Sequence, residues 1–209
     1  MEKFIKIKKE NEKHIENIKN IVLKYTNTPE GDCFWYHGST VEDNDFIFKQ
    51  YNLYYLGSKS QNIVEIGFNA GHSALLLLLG NNTSKITIFD ICMHDYTLEC
   101  FDYLNTVFPN RLELIVGNSL ETVPEYYLKN KDKKFDLIHL DGFHEPNHVK
   151  KDFMNIKKMG SNIIILDDDN LPYLNTLHND LLKYENIELC IDPFLYESKI
   201  YTHKICKIT

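Results

Sequence analysis

Glycines and polar or acidic residues follow each of five short apolar runs in this sequence, at residues 62–66, 85–89, 112–116, 135–140 and 162–166. These residues are Gly67 and Gly71, then Asp90, then Asn118 with Ser119, then Asp141 with His144, and finally the aspartates 167–169. If the runs are parallel strands, all of these groups gather at the edge where such sheets bind ligands. The glycines let a ligand approach the main chain, the next helix offers unpaired N–H groups, and Asp90 could accept hydrogen bonds from ribose. A nucleotide-type ligand is predicted.

The glycine spacing separates two kinds of nucleotide ligand. A dinucleotide fingerprint is G-x-G-x-x-G, whose middle glycine admits the pyrophosphate. Here Asn69 stands near that position between Gly67 and Gly71, and Glu65 lies inside the preceding strand. A carboxylate beside the turn would repel pyrophosphate and attract an ammonium. The pattern favours a ligand with adenosine at one end and an amino acid at the other.

Helical segments alternate with the five runs, over residues 73–79, 96–107, 120–128 and 146–158, with a further helix over 172–184. This alternation predicts right-handed crossovers and a parallel sheet covered on both faces. Two more strands, at 187–195 and 199–208, are separated only by 196–198 and must therefore pair antiparallel. We predict a doubly wound, Rossmann-like α/β fold with seven strands, mostly parallel, ending in a C-terminal antiparallel hairpin.

Residues 1–60 precede the first strand and are assigned to the same domain as the core of residues 61–209. Apolar spacing predicts one or two amphipathic helices within residues 1–30 and another over 43–56. Between them lies the aromatic stretch CFWYHGST. It could close over the ligand as a lid, or its aromatic rings could simply fill the core, and the sequence does not choose between these.

The composition of the chain limits the kinds of molecule that it could bind and the compartment in which it could work. The 209 residues carry a formal net charge of −7 and only one arginine, which argues against nucleic acid. The five cysteines are scattered without a C-x-x-C pair, so neither disulfides nor a zinc site is indicated. No apolar run approaches the roughly 20 residues that span a bilayer, and the charged N-terminus does not resemble a signal peptide. A cytoplasmic protein without membrane contact is expected.

Several stretches together resemble the successive motifs of class I S-adenosylmethionine-dependent methyltransferases: VEIGFNAGHSA, the FD after the second run, VGNSLETVP, FDLIHLDGFHEPNHVKKDF and IIILDDDN. The resemblance covers roughly residues 60–170. Within that class the sequence is most similar to small-molecule O-methyltransferases of the catechol and sugar types. The resemblance implies methylation of a hydroxyl on a sugar or a phenol.

The same resemblance assigns cofactor-binding roles by position. Glu65, Gly67 and Gly71 would surround the methionine part, and Ser73 would lie near its carboxylate. Asp90 would hold the ribose, Ile91 would contact adenine, and Asn118 and Ser119 would meet the adenine edge. Phe68, Asn69 and Asp141 complete the predicted cofactor site.

For catalysis, the resemblance implies that His144 is the general base and that Asp141 acts beside it. It also implies a Mg²⁺-like ion on Asp141 and on acids after the fifth strand. We favour Asp167 and Asp168 because they directly follow the apolar run. The alternative is that these aspartates cap helices or face water and that His144 does not touch the reacting atoms. His72 and His148 are further candidates, but we expect both to be ordinary polar surface residues.

Other functions stay open at this point. The target could be a nitrogen, a protein or RNA, or the chain could be a non-catalytic interaction protein that binds S-adenosylmethionine. The expected partner is a small-molecule acceptor, bound by residues 33–40, 143–148 and 171–173. The N-terminal helices could also pack against a second subunit in a homodimer.

Overall fold

A seven-stranded sheet forms the centre of the computed structural model, which describes residues 1–30, 33–39, 41–197 and 202–208. The strands are β1 (Asn62–Ile66), β2 (Lys85–Asp90), β3 (Leu112–Val116), β4 (Leu137–Leu140), β5 (Ile163–Leu166), β6 (Glu188–Leu189) and β7 (Lys204–Lys207). Their order across the sheet is β3-β2-β1-β4-β5-β7-β6. Strands β1 to β5 are parallel, and β7 is antiparallel to both of its neighbours. The predicted doubly wound architecture is confirmed.

Helices fill the crossovers as expected. They are α1 (Glu2–Glu10), α2 (Glu12–Val22), α3 (Ile47–Lys59), α4 (His72–Gly80), α5 (Thr97–Val107), α6 (Ser119–Lys129), α7 (Pro146–Lys157) and α8 (Pro172–Glu185). Local sequence features explain where several of these helices begin. The Asn118 side chain caps α6, Glu145 caps α7, and proline occupies the first turn of α7 and α8.

Each face of the sheet buries its own apolar layer. Ile63, Ile86 and Ile165 face a layer that includes residues of α1 to α5, and Val64, Ile138 and Ile164 face α6 to α8. Helices α1 and α2 contribute Phe4 and Ile18, both fully buried, to the first layer. The N-terminal segment therefore shares its core with the sheet, which supports the proposal that it belongs to the same domain.

Several predicted boundaries differ from those of the structure. The helix predicted over 43–56 is a short 3-10 helix, Asn44–Phe46, followed by α3, which extends to Lys59. The C-terminal strands are shorter than predicted, and residues 198–201 of the predicted hairpin lie outside the described residues. Cys190 N still donates a hydrogen bond to Ile205 O at 2.8 Å. The pairing cannot continue to residue 195, because Pro193 lacks an N–H and the Asp192 side chain accepts a hydrogen bond from Phe194 N at 2.9 Å, as in a turn.

The strand order reverses between β1 and β4, so the connections leave these two strands in opposite directions. A crevice opens there beyond the carboxyl ends of the strands. None of the helices in the described ranges is long and apolar enough to cross a membrane.

Candidate active site

A cavity of about 640 Å³ occupies the crevice between β1 and β4. Nearly all of the predicted site residues line it: Gly67, Phe68, Asn69, Ser73, Asp90, Ile91, Asn118, Ser119, Asp141, His144 and Asp168. Glu65, Gly71 and Asp167 are the predicted residues that lie behind its wall. The structure thus brings together groups that are far apart in the sequence.

The turn after β1 is held tightly against both neighbouring strands. Gly67 has φ +91°, and a Cβ atom there would lie 1.9 Å from the carbonyl oxygen of Asp141 at the end of β4. On the other side, Oδ2 of Asp90 accepts hydrogen bonds from the N–H groups of Phe68 at 2.6 Å and Asn69 at 3.1 Å. Glycine is required at position 67 by this close approach, and Asp90 braces the turn as well as lining the cavity.

Glu65 lies in the apolar face of the sheet and is fully buried. Its Oε1 accepts a hydrogen bond from Ser73 Oγ at 2.6 Å and lies 3.0 Å from His139 Nδ1. Its Oε2 is buried without a hydrogen-bond partner among the described residues. An unsatisfied buried carboxylate oxygen is costly, and it suits a ligand that brings a cationic donor.

His139 continues this chain of buried groups towards β5. Its Nε2 lies 3.3 Å from Asp167 Oδ2, and the same oxygen is 2.9 Å from Nζ of Lys49 on α3. Burial works against a charge on His139, but hydrogen bonds to Asp167 and Glu65 outweigh it and raise its pKa to about 10. Burial likewise opposes ionisation of Asp167, yet Lys49 and His139 hold its pKa well below the usual range. Two carboxylates and two cations form a compensated buried network.

The three aspartates after β5 have separate partners. Asp167 faces the buried network, whereas Asp169 accepts hydrogen bonds from Lys204 Nζ at 2.7 Å and from His178 and Asn175 on α8. Asp168, with φ +56°, is the one that lines the cavity. The predicted pairing of Asp167 with Asp168 as metal ligands is therefore disfavoured, because the Lys49 ammonium already occupies Asp167.

Asp141, His144 and Asp168 form a cluster whose ligand atoms all lie within 4.8 Å of one another. Nε2 of His144 is 2.7 Å from Asp168 Oδ2 and 3.7 Å from Asp141 Oδ1. Burial and the charge of Asp167 raise the pKa of Asp141 to about 7, and hydrogen bonds to Asp141 and Asp168 raise the pKa of His144 to about 11. Two crowded oxygen donors with one nitrogen fit a hard divalent cation. A second cluster, of His139, Asp141 and Asp167, contains the carboxylate paired with Lys49 and fits one less well.

Three further side chains meet beside the cavity. Ser119 Oγ lies 3.0 Å from both His148 Nε2 and Asp152 Oδ2. Sequence reasoning treated His148 as an ordinary surface residue and did not single out Asp152. It also overlooked His139 and Lys49. For His139, its position inside an apolar strand was a signal that the side chain is buried. Lys49 had no such signal, because it reaches the site only through the packing of α3 against the sheet.

The aromatic stretch before the 3-10 helix fills the core, which is one of its two predicted roles. Phe34 and Trp35 are buried in the core, where their rings lie 5.4 Å and 4.7 Å from the ring of His72. Cys33 lines the cavity. His72, predicted to be on the surface, is 7% exposed, and burial lowers its pKa to about 4. Thr40 lies outside the described residues.

Comparisons with known proteins identify the family of this chain. A family model described as a methyltransferase domain matches residues 64–168. No curated protein matches the sequence.

Solved structures share the fold at low identity. A TDP-rhamnose 3'-O-methyltransferase of calicheamicin biosynthesis, CalS11, is 15% identical over 95% of this chain and 94% of its own, with a TM-score of 0.62. The Podospora anserina methyltransferase PaMTH1, bound to S-adenosylhomocysteine, is 17% identical over 94% and 88%, with a TM-score of 0.63. An O-methyltransferase from Bacillus cereus, also in complex with S-adenosylhomocysteine, is 18% identical over 93% and 89%, with a TM-score of 0.58.

Proposed function

The chain belongs to the methyltransferase-domain family, and from that premise we propose that it transfers a methyl group from S-adenosylmethionine to a hydroxyl group of a small molecule. Two of the similar structures were solved with S-adenosylhomocysteine, and CalS11 methylates a sugar hydroxyl. These likenesses support the choice of donor and of acceptor class.

The observation that carries the proposal is the direct contact between the glycine turn and the acid–histidine cluster. Asp141 N donates a hydrogen bond to Ile66 O at 2.9 Å, and the Asp141 carbonyl closes on Gly67. A donor seated on the turn would therefore place its reactive end beside Asp141 and His144. Methyl transfer needs this proximity, because an in-line approach and removal of one proton are most of what the enzyme must provide.

Named residues would hold each part of the donor. The carboxylate of Glu65 lies behind the cavity wall, where its charge would attract the ammonium. Asp90 would hold the ribose, and Ile91 and Ser119 would contact the adenine. When bound, S-adenosylmethionine supplies a methyl group already activated on a sulfonium. Asp90 Oδ2 holds the turn and Oδ1 accepts a hydrogen bond from Cys92 N at 2.5 Å, so a ribose hydroxyl would donate to a remaining lone pair of this carboxylate.

On the acceptor side, His144 is proposed to take the proton of the hydroxyl. Held between Asp141 and Asp168 it is an imidazolium, and it can act as a base only when another positive charge compensates these carboxylates. A Mg²⁺-like ion held by Asp141 and Asp168 would supply that charge and polarise the hydroxyl. We therefore propose Asp141 and Asp168, rather than Asp167, as ligands of such an ion.

The rim of the cavity supports a ring-shaped acceptor. Phe143 lines the cavity and is 66% exposed, with its ring edge-on to that of His148. An exposed aromatic ring at the mouth of a site can pack against the face of a sugar or a phenol. The net charge of −7 supports a small molecule over nucleic acid.

The test is methyl transfer from S-adenosylmethionine, with Mg²⁺, to a panel of hydroxylated sugars and phenols, followed by mass spectrometry. His144→Ala and Asp141→Ala should each lose about 100-fold or more in rate, as expected for a general base and its partner. Both variants should retain affinity for S-adenosylhomocysteine. Asp132→Ala, at an exposed aspartate of the turn after α6, is the matched control. Unchanged activity in both site variants would overturn the assignment.

A further inference from the structure

Ser119, His148 and Asp152 form a hydrogen-bonded triangle beside the cavity. Ser119 Oγ lies 3.0 Å from His148 Nε2 and from Asp152 Oδ2, and these last two atoms are 3.4 Å apart. Ser119 and His148 line the cavity, whereas Asp152, one turn after His148 on α7, is 1% exposed. The two α7 residues thus lie around a hydroxyl that faces the ligand.

The proton positions follow from counting donors. Burial raises the pKa of Asp152 to about 6, so at pH 8 its carboxylate is ionised and can only accept. Ser119 has one hydroxyl proton, which it donates to Asp152. His148 Nε2, facing two oxygens that have no further proton to give, must then be the protonated ring nitrogen. The Ser119 oxygen receives that N–H and keeps one lone pair for the cavity.

We propose that Asp152 and His148 fix the Ser119 hydroxyl as a hydrogen-bond acceptor, so that the site selects a 6-aminopurine over a 6-oxopurine in its nucleoside ligand. This inference rests on the proposed function, in which Ser119 meets the adenine edge. The exocyclic amine of adenine donates to the free lone pair. The O6 atom of hypoxanthine would instead face an oxygen lone pair with no proton between them. Asp152 is a positioning residue, because it acts through Ser119.

Substitution of Asp152 by asparagine should reverse this orientation. Oδ1 of Asp152 is buried without a hydrogen-bond partner among the described residues. An asparagine amide group placed there would also be unsatisfied, so the NH₂ should turn towards Ser119 and His148. The amide then donates to Ser119 Oγ and to His148 Nε2, whose proton moves to Nδ1, and the Ser119 proton is released towards the cavity. The Ser119 hydroxyl becomes a donor that suits O6.

The test compares the dissociation constants of S-adenosyl-L-homocysteine and S-inosyl-L-homocysteine by calorimetry at pH 8. In the wild type, the inosyl compound should bind about 10-fold more weakly or worse, which corresponds to one mismatched hydrogen bond. In Asp152→Asn, the ratio of the two constants should fall to about one or invert. Asp180→Asn makes the same chemical change on the exposed side of α8 and should keep the wild-type ratio.

Ser119→Ala provides a second variant whose outcome does not depend on the orientation of the amide group in Asp152→Asn. It removes the acceptor, so it should weaken the adenosyl compound while leaving the inosyl compound nearly unchanged. A wild-type ratio near one, or an undiminished ratio in both Asp152→Asn and Ser119→Ala, would overturn the inference. Failure of the wild type to bind either nucleoside would instead contradict the proposed function, so the two failures are distinguishable.

Discussion

Replacing Lys49 by methionine removes the ammonium of a buried ion pair while keeping most of the side-chain volume. Lys49 Nζ lies 2.9 Å from Asp167 Oδ2, and the two side chains are 2% and 1% exposed. Removing one partner of such a pair typically costs about 3–5 kcal/mol, because a buried charge is left uncompensated. His139 still faces the same oxygen at 3.3 Å, so we expect a loss near the lower end, about 3 kcal/mol.

The assay is urea unfolding monitored by fluorescence of Trp35, the single tryptophan, which is 2% exposed in the same apolar layer as α3. With a slope of about 2–3 kcal/mol per molar urea, the midpoint should fall by roughly 1 M. Lys183→Met, at an exposed position of α8, should stay within about 0.5 kcal/mol of the wild type.

The double variant with Lys49→Met and Asp167→Asn decides whether charge is the cause. Removing both partners takes away the uncompensated carboxylate, so the double variant should recover at least half of the stability lost in Lys49→Met. A loss below about 1 kcal/mol in Lys49→Met would refute the reasoning. So would a double variant whose loss equals the sum of the two single losses, since the side chains would then be uncoupled.

Three further predictions follow from the site. Gly67→Ala should weaken S-adenosylhomocysteine binding by about 10-fold or more in a calorimetric titration, because the added Cβ would lie 1.9 Å from a carbonyl oxygen. The control Gly160→Ala, also at positive φ but with nothing within 4 Å of its Cβ, should bind normally. His139 has a raised pKa of about 10, so its contribution to the free energy of unfolding should be complete below pH 6.5 and lost as pH rises through 10. Denaturant titrations of His139→Gln should lack this loss of stability with rising pH, and a variant that keeps it would contradict the assignment. Added Mg²⁺ should raise the methyl-transfer rate of the wild type and have little effect on Asp168→Asn, and equal stimulation of both would remove Asp168 from the proposed ligands.

The main elements of the site were predictable from the pattern of apolar runs and from the glycine and acidic residues that follow them. The nearly continuous apolar run of β1 indicates a strand buried on both faces, and Glu65 stands out as the one acid in it. The glycine turn and Asp90 follow their strands directly, and strand ends converge in a parallel sheet. These are local signals, and the structure places Gly67, Asp90, Asp141 and His144 around one cavity as expected.

The partners of each charge were not predictable, because they depend on tertiary contacts. Three consecutive aspartates look equivalent in sequence, yet the left-handed backbone of Asp168 directs it to the cavity while its neighbours turn to Lys49 and Lys204. The α3 sequence around Lys49 offers no sign that this lysine would be fully buried. The short β6 also depends on a local turn at Asp192 that apolar content alone did not reveal.

The central claim is that the crevice between β1 and β4 binds S-adenosylmethionine as a methyl donor. Titration calorimetry of the purified protein with S-adenosyl-L-homocysteine, run beside NAD at equal concentration, tests it most directly. We expect saturable binding of S-adenosyl-L-homocysteine at a single site and none of NAD, because the buried carboxylate of Glu65 would repel a pyrophosphate and Asn69 stands near the position of the glycine that admits one. Saturable binding of NAD, or no binding of S-adenosyl-L-homocysteine, would contradict it.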